Sequence, residues 1–480
     1  MWRIKTFLFS LVILSIIATG CAHAPKLELG NTARETVHPT PLDSYVFKPD
    51  ANFSYKLVWE EKGDGWTGYV LDMTSQQWRS ASEVDLPIWK HYVTIVCPKK
   101  LKYHTALMVI GGGSNKKEPP KRIDALFHRV AVETQCIVAS ISCIPSEPLK
   151  FTGEDRKRSE DAIIAYTWDK FMRTGEAEWL LRLPMTKAVV RGMDAVQEFC
   201  ASPEGGKKRV DNFVTAGASK RGWTTWTVTA VDKRVIACVP MVIDLLNVLP
   251  SFQHHWSVYG QWAPAIDDYT EMHIMDWLGS KEFDAMLAVV DPYSYRARMT
   301  MPKLLINSCG DQFFLPDSWK YYLNDLPSPA YLRYVPNTGH PLNATVAKTV
   351  TAFFHSIAAG TPIPEYRWTF PDENTIRVET PSKPSAVKLW QATNPDARDF
   401  RIDVFGNKYK ATDLQDQGGG VYVGQVVRPE KGWTAYMVEL TYPGPGKAPF
   451  TFSTPVRITP DTTAFQFETP KEFPKGFLSK

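Results

Sequence analysis

The 480-residue chain has no block of one charge: 55 Lys and Arg stand against 51 Asp and Glu, a net +4. Without a basic stripe there is no electrostatic footprint for nucleic acid, and none is expected as a partner. CxxC pairs and HExxH are missing, so no metal site is expected. Neither GxxxxGK[ST] nor GxGxxG occurs, which removes the phosphate and dinucleotide loops, and no cofactor is expected. There is no defensible repeat and no low-complexity tract. Beyond the N-terminus no apolar run is long enough to span a bilayer. What is present is ample core material, 44% hydrophobic residues, enough for a large core and two domains.

The N-terminus reads as a targeting segment. Arg3 and Lys5 precede an apolar stretch from Phe7 to Ala18, of signal-peptide length. Ala18-Thr19-Gly20-Cys21 then resembles a bacterial lipobox, with Ala at the first position instead of the usual Leu. Residues 1–20 are therefore expected to be a lipoprotein-type signal peptide and Cys21 a lipidation site. That places the protein in the bacterial envelope, anchored to a membrane facing the periplasm, with ordinary secretion as the alternative. Residues 21–45 are polar and Pro-containing and read as a tether. The other six cysteines lie in or beside apolar runs and read as small buried hydrophobes; disulfides are open, and their pairing cannot be deduced.

Short, nearly all-apolar runs follow: Ala106–Ile110, Cys136–Ile141 and the run before Ser219. Runs of this kind fit strands buried on both faces of a parallel sheet. Helical patterns lie between them, over Arg122–Glu133 and from Pro184 onward. Strands alternating with helices imply a doubly wound, mainly parallel α/β sheet. Between about 240 and 300 the strand pattern stops, and Trp256, Trp262 and Trp277 fall there. After the linker-like Thr361-Pro362-Ile363-Pro364, alternating segments from 365 to 460 suggest a small β-sandwich.

The chemistry starts at Gly217-Ala218-Ser219-Lys220-Arg221-Gly222, directly after a strand-like run. A strand that stops at Gly-x-Ser and turns into a helix lifts the serine above the sheet as a nucleophile. The final glycine falls one place later than in Gly-x-Ser-x-Gly. Asp311 follows the run Lys303–Asn307, and His340 follows Tyr331–Val335. Ser, then Asp, then His is the triad order of an α/β-hydrolase. Asp317 and Asp244 are the rival acids. Gly111-Gly112-Gly113 ends an earlier strand, so Gly112 or Gly113, with the N–H of Lys220, would form the oxyanion hole. The expected fold is therefore an α/β-hydrolase domain over 46–360, with a helical cap at about 240–300 and a C-terminal β-sandwich over 365–460.

Three charged features have both a bland and a sharp reading. Glu154, Asp155, Glu160 and Asp161 interleave with Arg and Lys, which suggests a self-paired solvated face. The sharper reading is recognition of a substrate amine, as acidic residues do in dipeptidyl aminopeptidases. Lys220 and Arg221 could bind an anionic substrate group or pack on the helix surface. His254 and His255 read as cap histidines.

The blocks Leu107–Gly113, Ala162–Trp168, Leu183–Ala188, Gly217–Gly222 and Gly310–Phe314 resemble those of the PhoPQ-activated pathogenicity-related protein family. The similarity runs from about 40 to 460. It implies an α/β-hydrolase-like fold and a link to virulence, but no substrate. The resulting expectation is an envelope serine hydrolase acting on an ester or amide of a small molecule or peptide. The alternatives are an aminopeptidase-type serine peptidase and a non-catalytic envelope binding or scaffold protein on the same fold.

Overall fold

The structure is a computed structural model that describes residues 32–36 and 38–479. The expected signal peptide over 1–20 and the lipidation site Cys21 lie outside the described residues.

Nine strands form one sheet: β1 (Ser54–Gly63), β2 (Trp66–Gln77), β3 (Ile88–Pro98), β4 (Thr105–Ile110), β5 (Val138–Ile141), β6 (Asn212–Ala218), β7 (Val235–Met241), β8 (Lys303–Ser308) and β9 (Ala330–Val335). Their order is β1-β2-β3-β5-β4-β6-β7-β8-β9. The first three strands pair antiparallel, and every pair from β5 to β9 is parallel. The parallel strands are the apolar runs; β8 is buried at all six positions. The order reverses around β4, so the loops after β4 and β6 open onto the crevice where open α/β sheets hold their sites.

Among the described residues ten helices accompany the strands: α1 (Pro41–Phe47), α2 (Ala125–Thr134), α3 (Asp161–Thr174), α4 (Arg182–Ala201), α5 (Lys220–Val231), α6 (Val248–Tyr259), α7 (Asp267–Glu271), α8 (Lys281–Val290), α9 (Val346–Ala359) and the short α10 (Ile402–Phe405). Ala106, Met108 and Ile110 of β4 share a core with α3, α4 and α5. Leu107, on the other face, shares a core with α2 and α9. This alternation is the two-sided burial of a doubly wound sheet. α4 starts at Arg182, two residues before the Pro184 that the sequence pattern put first. The cap is α6, α7 and α8 with short 3₁₀ turns, all between β7 and β8.

The tether expected over 21–45 does not extend that far. Arg34 donates from its backbone N–H to Val231 O at 2.7 Å and from its guanidinium to Asp232 O and Val235 O. Thr40 and Asp43 form a capping box with Pro41 at N1, a helix start that outweighs the polar composition. Leu42, Tyr45 and Val46 then bury one face of α1.

The C-terminal strands form two antiparallel sheets. One contains β10 (Arg367–Asp372), β11 (Thr375–Glu379) and β14 (Val421–Gln425). The other contains β12 (Ala386–Asn394), β13 (Lys410–Asp413), β15 (Trp433–Tyr442) and β16 (Phe450–Ser453), with β17 (Arg457–Thr459) also on β15. Ile376 and Val378 face Leu389, Val438 and Leu440, and that core continues into Leu304, Ile306 and Phe353 of the hydrolase body. Residues beyond 460 run back over the body: Phe465 N–H donates to Ser257 O and Phe477 N–H to Met172 O, both at 3.0 Å. The six described cysteines are all free and buried.

Candidate active site

Ser219 sits between β6 and α5 at φ 58°, ψ −127°, a strained conformation for a residue with a side chain. Its N–H donates to Met241 O at 2.8 Å, and Trp223 N–H donates to Ser219 O at 2.9 Å. The turn closes only because two positions lack a side chain. A Cβ on Gly217 would lie 2.5 Å from Arg221 O, and one on Gly222 would lie 2.7 Å from Met241 O. The glycine at 222 is thus where α5 crosses β7, which accounts for its late place in the motif. Position 221, where the usual pattern has glycine, carries an arginine that turns away from the sheet.

Asp311, after β8, is buried and accepts hydrogen bonds from Phe313 N–H at 2.8 Å and Phe314 N–H at 3.4 Å. Both its oxygens lie 3.0 Å from Nδ1 of His340, which follows β9. The carboxylate holds the Nδ1–H tautomer and leaves Nε2 as the basic nitrogen. Gln312 Oε1 accepts from His340 N–H at 2.8 Å, fixing the loop. The imidazole packs against Phe313 at a tilt of 42°, with centroids 4.4 Å apart. Phe313 and Phe314 in turn share a cavity wall with Ser219. No hydrogen bond joins Ser219 Oγ to His340 among the described residues; the two are neighbours across the phenylalanines.

The rival acids have other partners. Asp244 accepts from Tyr322 OH at 2.6 Å and Tyr334 OH at 2.7 Å, and burial pushes its carboxyl up to about 7. Asp317 lies 3.0 Å from His254 Nε2 and 2.7 Å from Arg398 Nη2. Burial pushes Asp317 up, but Arg398 and His254 outweigh it and hold the carboxyl well below the usual range. His255 accepts from Ala263 N–H at 3.1 Å. Both cap histidines are therefore structural.

Gly111 N–H is taken by Ile141 O, and Gly112 O accepts from Cys143 N–H at 3.0 Å. The N–H groups of Gly112 and Gly113 have no backbone acceptor among the described residues, and Lys220 N–H is in the open first turn of α5. These are the three donors expected for an oxyanion. A Cβ on Gly112 would meet the Arg221 guanidinium at 2.3 Å, so the loop and that side chain are packed together.

The charged residues around the elbow pair with one another. Arg221 donates to Glu160 at 2.9 and 3.0 Å, to Glu147 at 3.4 Å and to Ile144 O at 2.5 Å. Lys220 Nζ contacts Glu160 and lies 3.2 Å from Asp161. Glu154 pairs instead with Arg158 at 2.6 Å, and Asp155 is exposed. Burial pushes Glu160 up, but Arg221 and Lys220 outweigh it and hold it at about 2. Burial, then the Glu160 carboxylate, push Glu147 up to about 7. The two sharp readings are thereby corrected. Lys220 and Arg221 are neutralised, so they offer no free cation to a substrate. Glu160 and Asp161 are neutralised by them, so they offer no free carboxylate to an amine. Glu147 was missed because Ile144-Pro145-Ser146-Glu147-Pro148 reads only as a loop.

Ser219 opens into a narrow cavity of about 30 Å³ beneath the cap, walled by Trp168, Trp223, Phe252, Ile266 and Tyr269. Arg182, at the start of α4, also lines it; sequence reasoning took it only as part of a helix opening. Burial pushes its guanidinium down to about 10.

A mixed sheet in this strand order, an elbow serine after the central strand, a buried Asp–His pair after the next strands and a helical cap define an α/β-hydrolase fold. A model of the PhoPQ-activated pathogenicity-related protein family matches residues 42–401, three quarters of the chain, and the protein belongs to that family. It is also 38% identical over 435 residues to Autocrine proliferation repressor protein A of Dictyostelium discoideum, covering 85% of this chain and 87% of that one. Among solved structures it is similar to acetyl xylan esterase 1 of Thermoanaerobacterium sp., with TM-score 0.47, 16% identity, 70% of this chain and 99% of that chain covered. A puromycin-hydrolyzing peptidase of Mycobacterium tuberculosis gives TM-score 0.37 and 14% identity over 57% of this chain and 38% of that one.

Proposed function

We propose that the protein is a serine hydrolase of the bacterial envelope that cleaves an ester or amide. In the reaction Ser219 Oγ bonds to the substrate carbonyl carbon while its proton passes to His340 Nε2. Asp311 orients the ring and stabilises the imidazolium. The carbonyl oxygen gathers negative charge against the N–H groups of Lys220 and of Gly112 or Gly113. The C–O or C–N bond then breaks as His340 gives the proton to the leaving group. Water, deprotonated by His340, then bonds to the acyl carbon; the bond to Ser219 Oγ breaks, and His340 returns the proton to Oγ as the acid is released. No cofactor enters. The observation that carries this reading is the buried Asp311 on His340 Nδ1 at 3.0 Å, with Phe313 linking that imidazole to the cavity of an elbow serine.

Anchorage through a lipid on Cys21 belongs to the same proposal, as does an envelope role in keeping with the family's pathogenicity-related description. Labelled palmitate should enter the wild type and not Cys21→Ser. Chemistry is tested by a fluorophosphonate probe, which should label the wild type and neither Ser219→Ala nor His340→Ala. A well-folded wild type that takes no label would sink the serine hydrolase. The second reading is a signalling or binding protein that keeps the fold without using it for catalysis. It is favoured by the curated relative named as an autocrine proliferation repressor and by the narrowness of the cavity at Ser219.

A further inference from the structure

We propose that Arg182 anchors a carboxylate carried by the acyl part of the substrate, so that the preferred substrates are esters or amides of short acids bearing a second, ionised carboxyl group. This rests on Ser219 being the nucleophile. Arg182 is 2% exposed and lines the same cavity as Ser219. Its Nη1 donates to Lys220 O at 2.9 Å, its plane lies 4.3 Å over Trp223, and its Nε has no partner. Among the described residues it forms no ion pair. The carboxylate on the same wall, Asp161, is taken by Lys220 Nζ at 3.2 Å and Tyr269 OH at 3.1 Å.

A buried guanidinium without a carboxylate is costly, and its fork is shaped for one. Elsewhere among the described residues Arg234 pairs with Asp194 and Asp232, and Arg398 with Asp317, while Arg333, which has no carboxylate, donates to Thr345 and Thr349 instead. Arg182 has neither a carboxylate nor a set of side-chain acceptors, and it lines a cavity from which a ligand could supply the anion. The flanking neutral surface is apolar and aromatic, which suits a short hydrocarbon spacer.

The acyl side is chosen by size. The cavity at Ser219 is about 30 Å³, whereas the groove lined by Gly112 and Gly113 is about 370 Å³ and is bordered by Lys90, Tyr92 and Asn115. Ser219 and Lys220 line the first and Gly112 and Gly113 the second, so a carbonyl held by these donors would send its smaller group into the closed side and the leaving group into the open one.

The test compares 4-methylumbelliferyl hydrogen adipate with 4-methylumbelliferyl hexanoate, using Ser219→Ala as the blank. In the wild type kcat/KM should favour the anionic ester by about tenfold or more, and Arg182→Gln should collapse that ratio. Arg182→Lys should keep part of it. A wild type that prefers the neutral ester, or an Arg182→Gln that lowers both esters equally, overturns the proposal. If Arg182→Gln does not fold, the wild-type ratio and Arg182→Lys decide. Thermal shift with pentanoate against pentanamide separates this failure from that of the serine hydrolase. Stabilisation of the wild type by pentanoate alone, absent in Arg182→Gln, supports the anchor even in a protein that takes no fluorophosphonate. Labelling with no charge preference removes the anchor and leaves the hydrolase standing.

Discussion

The two halves of the candidate site are held in different ways. The nucleophile corner is built from the hydrolase sheet itself. Ser219 is fixed by contacts of β6, β7 and α5, and the charges beside it are cancelled by Glu160 and Asp161, with Glu147 accepting a further bond from Arg221. The acid–base corner is braced from the C-terminal part of the chain. Ile402 N–H donates to Gly310 O at 3.0 Å, and Tyr409 and Asn337 exchange two hydrogen bonds of 3.0 Å. Missing Cβ atoms at Gly310 and Gly339 leave room for Ile402. The connection between β12 and β13, which carries α10, therefore has a structural part in presenting Asp311 and His340. One corner depends on charge and backbone closeness, the other on a packed neighbour, and each can be broken separately.

The largest effect should come from Asp311→Asn. It keeps the shape of the acid–base corner and reverses the tautomer held on His340, so kcat should fall about 10⁴-fold with folding retained. A melting temperature near wild type with that loss supports the assigned role. An equal loss from Asp317→Asn or Asp244→Asn would move the acid elsewhere.

Next in size is a matched pair of glycine substitutions. In Gly222→Ala the new methyl meets backbone, Met241 O at 2.7 Å and Gly217 O at 3.0 Å. In Gly339→Ala it meets side-chain ends, Ile402 Cγ2 at 2.7 Å and Gln312 Oε1 at 2.8 Å. Side chains can move aside and strands cannot. Gly222→Ala should therefore cost roughly 2–4 kcal/mol and Gly339→Ala about 1 kcal/mol, measured by denaturant unfolding. Equal costs would mean that the two corners are equally rigid.

A smaller effect is expected from Ile402→Ala. It trims the packed part of the brace, leaves the bond from its N–H to Gly310 O and touches no reacting group, and it should cost about 1–2 kcal/mol of stability. It should also lower kcat several-fold while leaving KM within about twofold. Combined with Glu147→Gln it should be additive to within about 0.5 kcal/mol, because the two corners share no partner. A coupling well above that would join them into one unit.

The contrast between the corners is also the contrast between what could and could not be read from the chain. Ser219, Asp311 and His340 were legible because each sits next to an apolar strand run with a local turn signal, and chain order supplied the rest. The sheet and the helical excursion over 240–300 came from the same local patterns. Ile402 and Tyr409 carry no such signal, since their role exists only through contact with loops some 70 to 90 residues away in sequence. Charge partners were illegible for a related reason. Lys220, Arg221 and Arg182 are alike in sequence, yet the fold gives carboxylates to the first two and none to the third. The helix α1 hid in a polar, Pro-containing stretch because composition alone was read there, while the helix start rests on the local pair Thr40 and Asp43.

The finest probe of the nucleophile corner is its charge. Glu147 in the folded protein sits at about 7, above its ordinary 4.5, so its contribution to stability is complete below about 4.5 and is lost as pH rises through 7. Glu160, held at about 2, has the opposite sign: its contribution is present above 4.5 and is lost as pH falls toward 2. Between pH 5 and 7.5 Glu147 titrates while Glu160 stays ionised, so wild-type stability should decline there by on the order of 1 kcal/mol from Glu147. Glu147→Gln cannot ionise and should flatten the decline, raising the melting temperature relative to wild type at pH 7.5 more than at pH 5. Ile402→Ala, in the other corner, should shift the whole curve without changing its slope. If Glu147→Gln and wild type run parallel over that range, the carboxylate cluster is not what charge-balances the nucleophile corner, and the difference between the two corners reduces to packing alone.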